Sequence, residues 1–133
     1  MQNGGLSIMP EPIDDRLLRF CVRVIHLVGH LPNTQIGQHI RLQLFRAATS
    51  TGANYEEACA GESRADFIHK MQVVLKEARE SRFWLKLISA AELIKGPEPQ
   101  ELFTESHELC LILGQSVVTA KRNRQANKSL CGS

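Results

Sequence analysis

The chain has 133 residues, 43% of them apolar, and 16 Lys and Arg against 14 Asp and Glu give a formal net charge of +2. That length and apolar content suit one domain with a real core, and the near balance of charge excludes the strongly basic composition of a dedicated nucleic-acid-binding domain. Aromatic residues are only 5%, so Leu, Ala, Ile and Val must fill the core, which is a helical composition. Cys21, Cys59, Cys110 and Cys131 form no C-x-x-C pair, which favours reduced thiols over a zinc site or a disulfide framework. The stretch MQNGGLSIMPEP has neither the positive start nor the apolar run of a secretory signal. No apolar stretch approaches the roughly 20 residues of a membrane span. The expectation is a soluble, cytoplasmic protein with no membrane partner and no cofactor.

Residues 1–12, rich in Gly, Asn and Pro, are expected to form a disordered segment ahead of a helical domain over 13–124. A first helix over about 14–30 can be capped by Asp14 or Asp15, whose carboxylates accept from free backbone N–H groups. Leu17, Cys21, Val24, Val28 and Leu31 recur at steps of three and four and share one face. A second stripe, Arg16, Arg19, Arg23, His26 and His30, forms a basic edge along about four turns. It reads either as a solvated face or as an anion contact. The pair His26 and His30 lacks the glutamate that a zinc protease places between its histidines, with Leu27 in its stead.

Thr34 or Asn33 caps a second helix, expected over about 35–59. Its centre, Ala47 to Ala53, is poor in helix formers, so a loop competes with a helix there. The arc of Ile40, Leu44, Ala47, Ala48, Tyr55 and Ala58 runs through that centre and favours the helix, with the small residues marking a helix crossing. Beside the arc, Gln43, Arg46, Ser50, Asn54 and Glu57 line up in a polar stripe. Next to a close-packed seam they are expected to form a hydrogen-bonded network, with Arg46 and Glu57 as its charged members.

Gly61 ends the second helix, and Ser63 with Asp66 three residues on opens a third, expected to reach Lys95. Its seam is Phe67, Met71, Val74, Ala78, Ser81, Leu85 and Ile88. From Phe83 onward the helix is apolar nearly all round, which points to burial from more than one side. Phe83, Trp84 and Leu87 are therefore expected to pack between subunits. Gly96-Pro97-Glu98-Pro99 breaks the chain before a fourth helix over about 99–123, with Leu102, Ser106, Leu109, Leu113, Val117 and Ala120 on one face. Lys121, Arg122 and Arg124 close it, and a mobile tail is expected over 125–133. The whole reads as all-α, an antiparallel up-down-up-down four-helix bundle.

Chemistry is thin. A di-metal carboxylate site needs paired Glu-x-x-His motifs, and Asp66-Phe67-Ile68-His69 is a lone imperfect half. His69, Glu77 and Glu80 read as surface charges, and no nucleophile motif or Gly-rich phosphate loop is present.

Several short pieces carry a resemblance that spans about Arg16 to Arg124: Leu31-Pro32; Gln43-Leu44-x-Arg46-Ala47; Gly52-Ala53-Asn54-Tyr55-x-Glu57-Ala58; Ser63-x-x-Asp66-Phe67-Ile68-x-Lys70; Glu77-Ala78-x-Glu80-Ser81 before Trp84-Leu85; and Thr119 to Asn123. In their order and spacing the chain resembles the four-helix-bundle family associated with intervening sequences in 23S ribosomal RNA genes. Through Arg82 to Lys86 and the basic last helix, it is distantly similar to accessory proteins of diversity-generating retroelements. The resemblance implies an antiparallel bundle that assembles as a homo-oligomer, typically a five-subunit ring, and implies no reaction. The function expected is a non-enzymatic oligomer that binds RNA or a nucleic-acid-processing partner through Arg16, Arg19, Arg23, Lys121, Arg122 and Arg124. A protein-interaction scaffold is the alternative. An enzyme using the second helix's polar stripe would require a pocket around Arg46, Asn54 and Glu57.

Overall fold

The computed structural model describes residues 11–61 and 63–131, with side chains as far as Asn127. It is all-α: four helices, α1 (Ile13–Val28), α2 (Gln35–Cys59), α3 (Arg64–Ala90) and α4 (Glu98–Cys131), and no strand among the described residues. Most of the expected N-terminal segment, residues 1–10, lies outside the described residues. No described helix is long and apolar enough to cross a membrane.

The helix starts follow local chemistry. α1 begins one residue earlier than expected, with Pro12 as its N-cap, no side-chain cap, and the Pro12 carbonyl accepting from the Arg16 N–H at 3.0 Å. Asp14 and Asp15 therefore fall inside the first turn, where they favour the helix dipole but cannot act as caps. Thr34 Oγ1 accepts from the Gly37 N–H at 3.1 Å, and Ser63 Oγ accepts from the Asp66 N–H at 3.1 Å, so α2 and α3 start on side-chain caps. α2 runs unbroken through its small-residue centre. There the Thr51 hydroxyl donates to the Ala47 carbonyl at 2.8 Å, and the Thr49 hydroxyl donates to Phe45 at 2.8 Å. These bonds to the preceding turn satisfy hydroxyls that would otherwise compete with the helix.

α3 ends at Ala90, five residues short of the expected Lys95. The Leu93 N–H reaches back to the Ile88 carbonyl at 3.1 Å and the Glu92 N–H to Ser89 at 3.2 Å, a Schellman closure in which Glu92 takes φ 53°. Leu93 packs on the core beside Ile88 and locks the turn. A left-handed conformation costs an L-residue about 1 kcal/mol, so Glu92→Gly is expected to raise unfolding free energy by up to about 1 kcal/mol in urea titration. α4, by contrast, continues to Cys131 rather than stopping at 123, since no glycine or proline interrupts the chain between Gly114 and Cys131.

α2 packs on α1 and α3, α3 on α2 and α4, and α4 closes back on α1 through the least extensive of the four contacts. The expected core faces are buried: Leu17, Cys21, Val24, Val28 and Leu31 from α1 and its exit, and all six positions from Leu102 to Ala120 in α4. On α3 it is Ile68, rather than Phe67, that is buried at the start of the seam, while Phe67 packs half-buried at its side. The core divides into two clusters. One gathers Leu17, Phe20, Val24, Leu44, Leu85, Ile88, Leu102 and Leu109 among others, from all four helices. The other, centred on Met71, Val74, Leu113 and Val117, is built by α2, α3 and α4 alone. α1 has only 16 residues against 34 in α4, so it covers one half of the molecule.

The small residues of α2 do mark a close approach. Ala47 and Ala48 are fully buried, the Cys21 thiol donates to the Ala48 carbonyl at 3.1 Å, and a Cβ on Gly52 would lie 3.3 Å from the Cys21 sulfur.

Candidate nucleic-acid interface

The basic edge of α1 is engaged within the chain. Arg16 grips Glu105 with two donors, Nε to Oε2 at 2.7 Å and Nη2 to Oε1 at 2.8 Å, and also reaches Glu108 at 2.7 Å. Arg23 holds Glu98 in the same forked way, at 3.1 and 3.0 Å, with Glu101 3.6 Å away. Arg19 pairs with Glu11. Bonding to Glu105 holds the Arg16 guanidinium well above its ordinary value, and bonding to Glu98 does the same for Arg23. Bidentate pairs of this kind fix geometry as well as charge, so these arginines tie α1 to α4 and their directional donors are not free for phosphate. His30 is likewise turned to its own helix, its Nδ1 3.1 Å from the His26 carbonyl oxygen. Lys121, Arg122 and Arg124 are exposed on α4 and enter no ion pair among the described residues.

The polar stripe of α2 divides. Arg46 crosses to α3, pairing with Glu77 at 3.1 Å and with Glu80, and the Trp84 Nε1–H donates to Glu80 at 3.1 Å. Burial pushes the Glu80 carboxyl up, yet the bonds from Arg46 and Trp84 outweigh it and the carboxyl lies below its ordinary value. Gln43, Ser50 and Asn54 are half-buried and Glu57 is exposed, and no side-chain hydrogen bond joins the five to one another among the described residues. The expected network is thus a bridge from Arg46 to Glu77 and Glu80, with Glu57 outside it. Helix periodicity put Arg46 and Glu57 on one stripe, but its partners sit on the facing helix. Arg46, Asn54 and Glu57 line none of five surface grooves of about 270 to 410 Å³ among the described residues.

Nor are the two buried thiols poised for chemistry. Burial pushes Cys21 and Cys110 up, which disfavours the nucleophilic thiolate. Among the described residues no three His, Cys, Asp or Glu side chains come together as a metal-binding group.

At the end of α3 expected to pack between subunits, Phe83 is 55% exposed and meets the half-buried Trp84 edge-on at 5.1 Å, and Trp84 in turn meets His39 at 5.8 Å. Leu87, half-buried, lines a shallow apolar groove of about 380 Å³ with Ile36, His39 and Trp84. A second apolar groove, about 350 Å³, lies between α1 and α2, walled by Leu18, Val22 and Ile25 on one side and Thr49 and Ala53 on the other.

Sequence reasoning missed a third groove, about 410 Å³, between α3 and α4. Arg79, Arg82, Phe83 and Lys86 form one wall and Phe103 and His107 the other. The Arg82 Nη1 donates to His107 Nδ1 at 3.1 Å, and the His107 ring stacks on Phe103 at 6.4 Å and 17°. No carboxylate lines this groove, and Arg79, Arg82 and Lys86 take part in no ion pair among the described residues. The four α3 residues sit at i, i+3, i+4 and i+7, a readable stripe of one helix, but the wall that makes it a groove comes from α4.

Residues 15–115 match the family model described as 23S rRNA-intervening sequence protein. The chain belongs to that family. The match of this intervening-sequence protein spans the whole α3–α4 groove and stops before Lys121. A solved structure similar to it is that of a protein of unknown function from the S23 ribosomal protein family of Bacteroides thetaiotaomicron VPI-5482. That protein is 36% identical to this intervening-sequence protein, with 80% of this chain and 98% of the other covered and a TM-score of 0.73. No curated protein matches it.

Proposed function

We propose that this intervening-sequence protein is a non-enzymatic, cytoplasmic homo-oligomer built from antiparallel up-and-down bundles, and that it binds RNA. Support for the antiparallel order comes from residue pairs whose numbers rise on one helix as they fall on the next. Arg16 meets Glu105 while Arg23 meets Glu98; Arg46 meets Glu77 while His39 meets Trp84; Arg82 meets His107 while Ser89 meets Gln100.

The observation that carries RNA binding is charge segregation. Eight carboxylates are held by only five cations in the ion pairs of the described residues. The remaining surface is therefore more basic than the net charge of +2 suggests. Arg79, Arg82, Lys86, Lys121, Arg122 and Arg124 present that excess on α3 and α4. In an oligomer each basic strip is repeated, so weak phosphate contacts act together. Self-association is supported by exposed apolar side chains on α1 and α2, namely Leu18, Val22, Ile25, Leu42 and Phe45.

Light scattering is expected to give a mass that is a multiple of 14.9 kDa, five subunits if the family's ring is kept; a monomer at micromolar concentration would overturn the oligomer. Binding to a structured RNA should appear at low salt and fall steeply as salt rises. No binding at low salt removes the RNA reading. The apolar groove between α1 and α2 favours a second reading, a protein scaffold, which one protein partner retained after nuclease treatment would support.

A further inference from the structure

We propose that the α3–α4 groove is a binding site for a nucleotide unit, its phosphate held by Arg79, Arg82 and Lys86 and its base stacked on the rings of Phe83 and Phe103. Where that unit belongs to a single strand of RNA, the proposal rests on the RNA reading above and narrows it to one surface.

Three features set this groove apart from an ordinary solvated face. Its cations are uncompensated, as described above, whereas the arginines of α1 and Arg46 are each matched by carboxylates. Burial pushes the Cys110 thiol up, with Arg82 and Arg79 acting in the opposite direction. Second, Arg82 is held in place, since its bond to His107 and the stacking of His107 on Phe103 tie the two walls together. Third, Phe83 leaves over half its surface in water beside these cations, where a base would cover it. Stacking of bases on aromatic rings alongside a cationic track is how single strands are held with little regard to sequence. The groove's volume, about 410 Å³, lies within the range of small-ligand sites. A duplex keeps its bases stacked inside and offers only phosphates and groove edges to such a surface, so the aromatic rings confer preference for an unpaired base.

Trp84 is the only tryptophan in the chain and touches Phe83, so its fluorescence reports on the groove. The full-length protein is titrated with a labelled oligouridine, with a hairpin duplex of equal length, and with adenosine monophosphate, following anisotropy and Trp84 emission. Oligouridine is expected to bind more tightly than the hairpin. Phe83→Ala is expected to weaken oligouridine roughly tenfold while sparing the hairpin, and Arg79→Glu with Lys86→Glu to abolish binding. Arg64→Glu with Lys95→Glu, which changes the charge equally at exposed positions outside the groove, should leave binding intact. Phe83, Arg79 and Lys86 are exposed, so these variants fold. Undiminished strand binding in the Phe83 or charge-reversal variants overturns the groove while leaving RNA binding elsewhere on the surface standing. Binding of the monophosphate alone, lost in both variants, supports the groove as a site for free nucleotide and removes the RNA reading. Absence of binding by all three ligands overturns both.

Discussion

Gly37→Ala is expected to lower the unfolding free energy by about 3 kcal/mol, the upper end for overpacking, read as a lower urea midpoint at unchanged slope. Gly37 is buried in the first turn of α2, directly against the linker from α1. A Cβ there would sit 2.0 Å from the Pro32 carbonyl oxygen and 3.0 Å from the Pro32 carbonyl carbon. Both are backbone atoms, so no rotamer change relieves the clash. The linker must move, carrying with it Leu31, which is buried in the core, and disturbing the Thr34 cap on this same Gly37 N–H. Losing the cap alone would cost roughly 1 kcal/mol, so a loss confined to that size would mean that the linker yields easily.

Removing Arg16 is the second large effect. Its side chain is 20% exposed and that of Glu105 is 16% exposed, between the exposed pairs that contribute under about 1 kcal/mol and buried pairs whose disruption costs roughly 3–5 kcal/mol. Arg16→Ala is therefore expected to cost about 2 kcal/mol at neutral pH, because Glu105 is left with a half-buried, unmatched charge. The double variant Arg16→Met with Glu105→Gln should recover most of the loss. The same seam sets the acid response. The bond from Arg16 holds the Glu105 carboxyl below its usual value, and the bond from Arg23 does the same for Glu98. A carboxyl that is more acidic in the folded state contributes its full stability above the unfolded value, and that contribution is lost as pH falls through the depressed folded value. The melting temperature should hold from pH 7 down to the ordinary carboxylate value of 4.5 and decline below it, with a shallower decline in Arg16→Ala. A melting temperature that stays level well below that value would mean that the α1–α4 pairs do not form in solution.

Much of the fold was legible because burial writes itself in steps of three and four. Every position expected on the faces of α1 and α4 is buried, although Phe20, Leu27 and Cys110 are buried beside them, and Thr34 and Ser63 marked two helix starts through the chemistry of their hydroxyls. The end of α3 was not legible, since its left-handed position is occupied by Glu92 rather than glycine. Partners across helices were harder still, because periodicity assigns a residue to a face without saying which helix that face meets. Arg16 and Arg23 looked like part of a surface for phosphate, yet Glu98, Glu101, Glu105 and Glu108 repeat on α4 at steps of three, four and three, a complementary acidic stripe. Matching the two would have revealed the seam. The α3–α4 groove was obscured for the same reason, since its second wall, Phe103 and His107, comes from the facing helix.

The short reach of α1 means that the molecule has two ends of different construction. Near Leu17 and Leu85 four helices enclose the apolar interior, whereas around Met71 and Val117 only three do. Detaching α1 would strip one cluster and leave the other covered as before. Backbone amides around the second cluster can therefore remain shielded from solvent exchange through openings that expose those around the first, so the chain has the makings of two separately opening units within one fold.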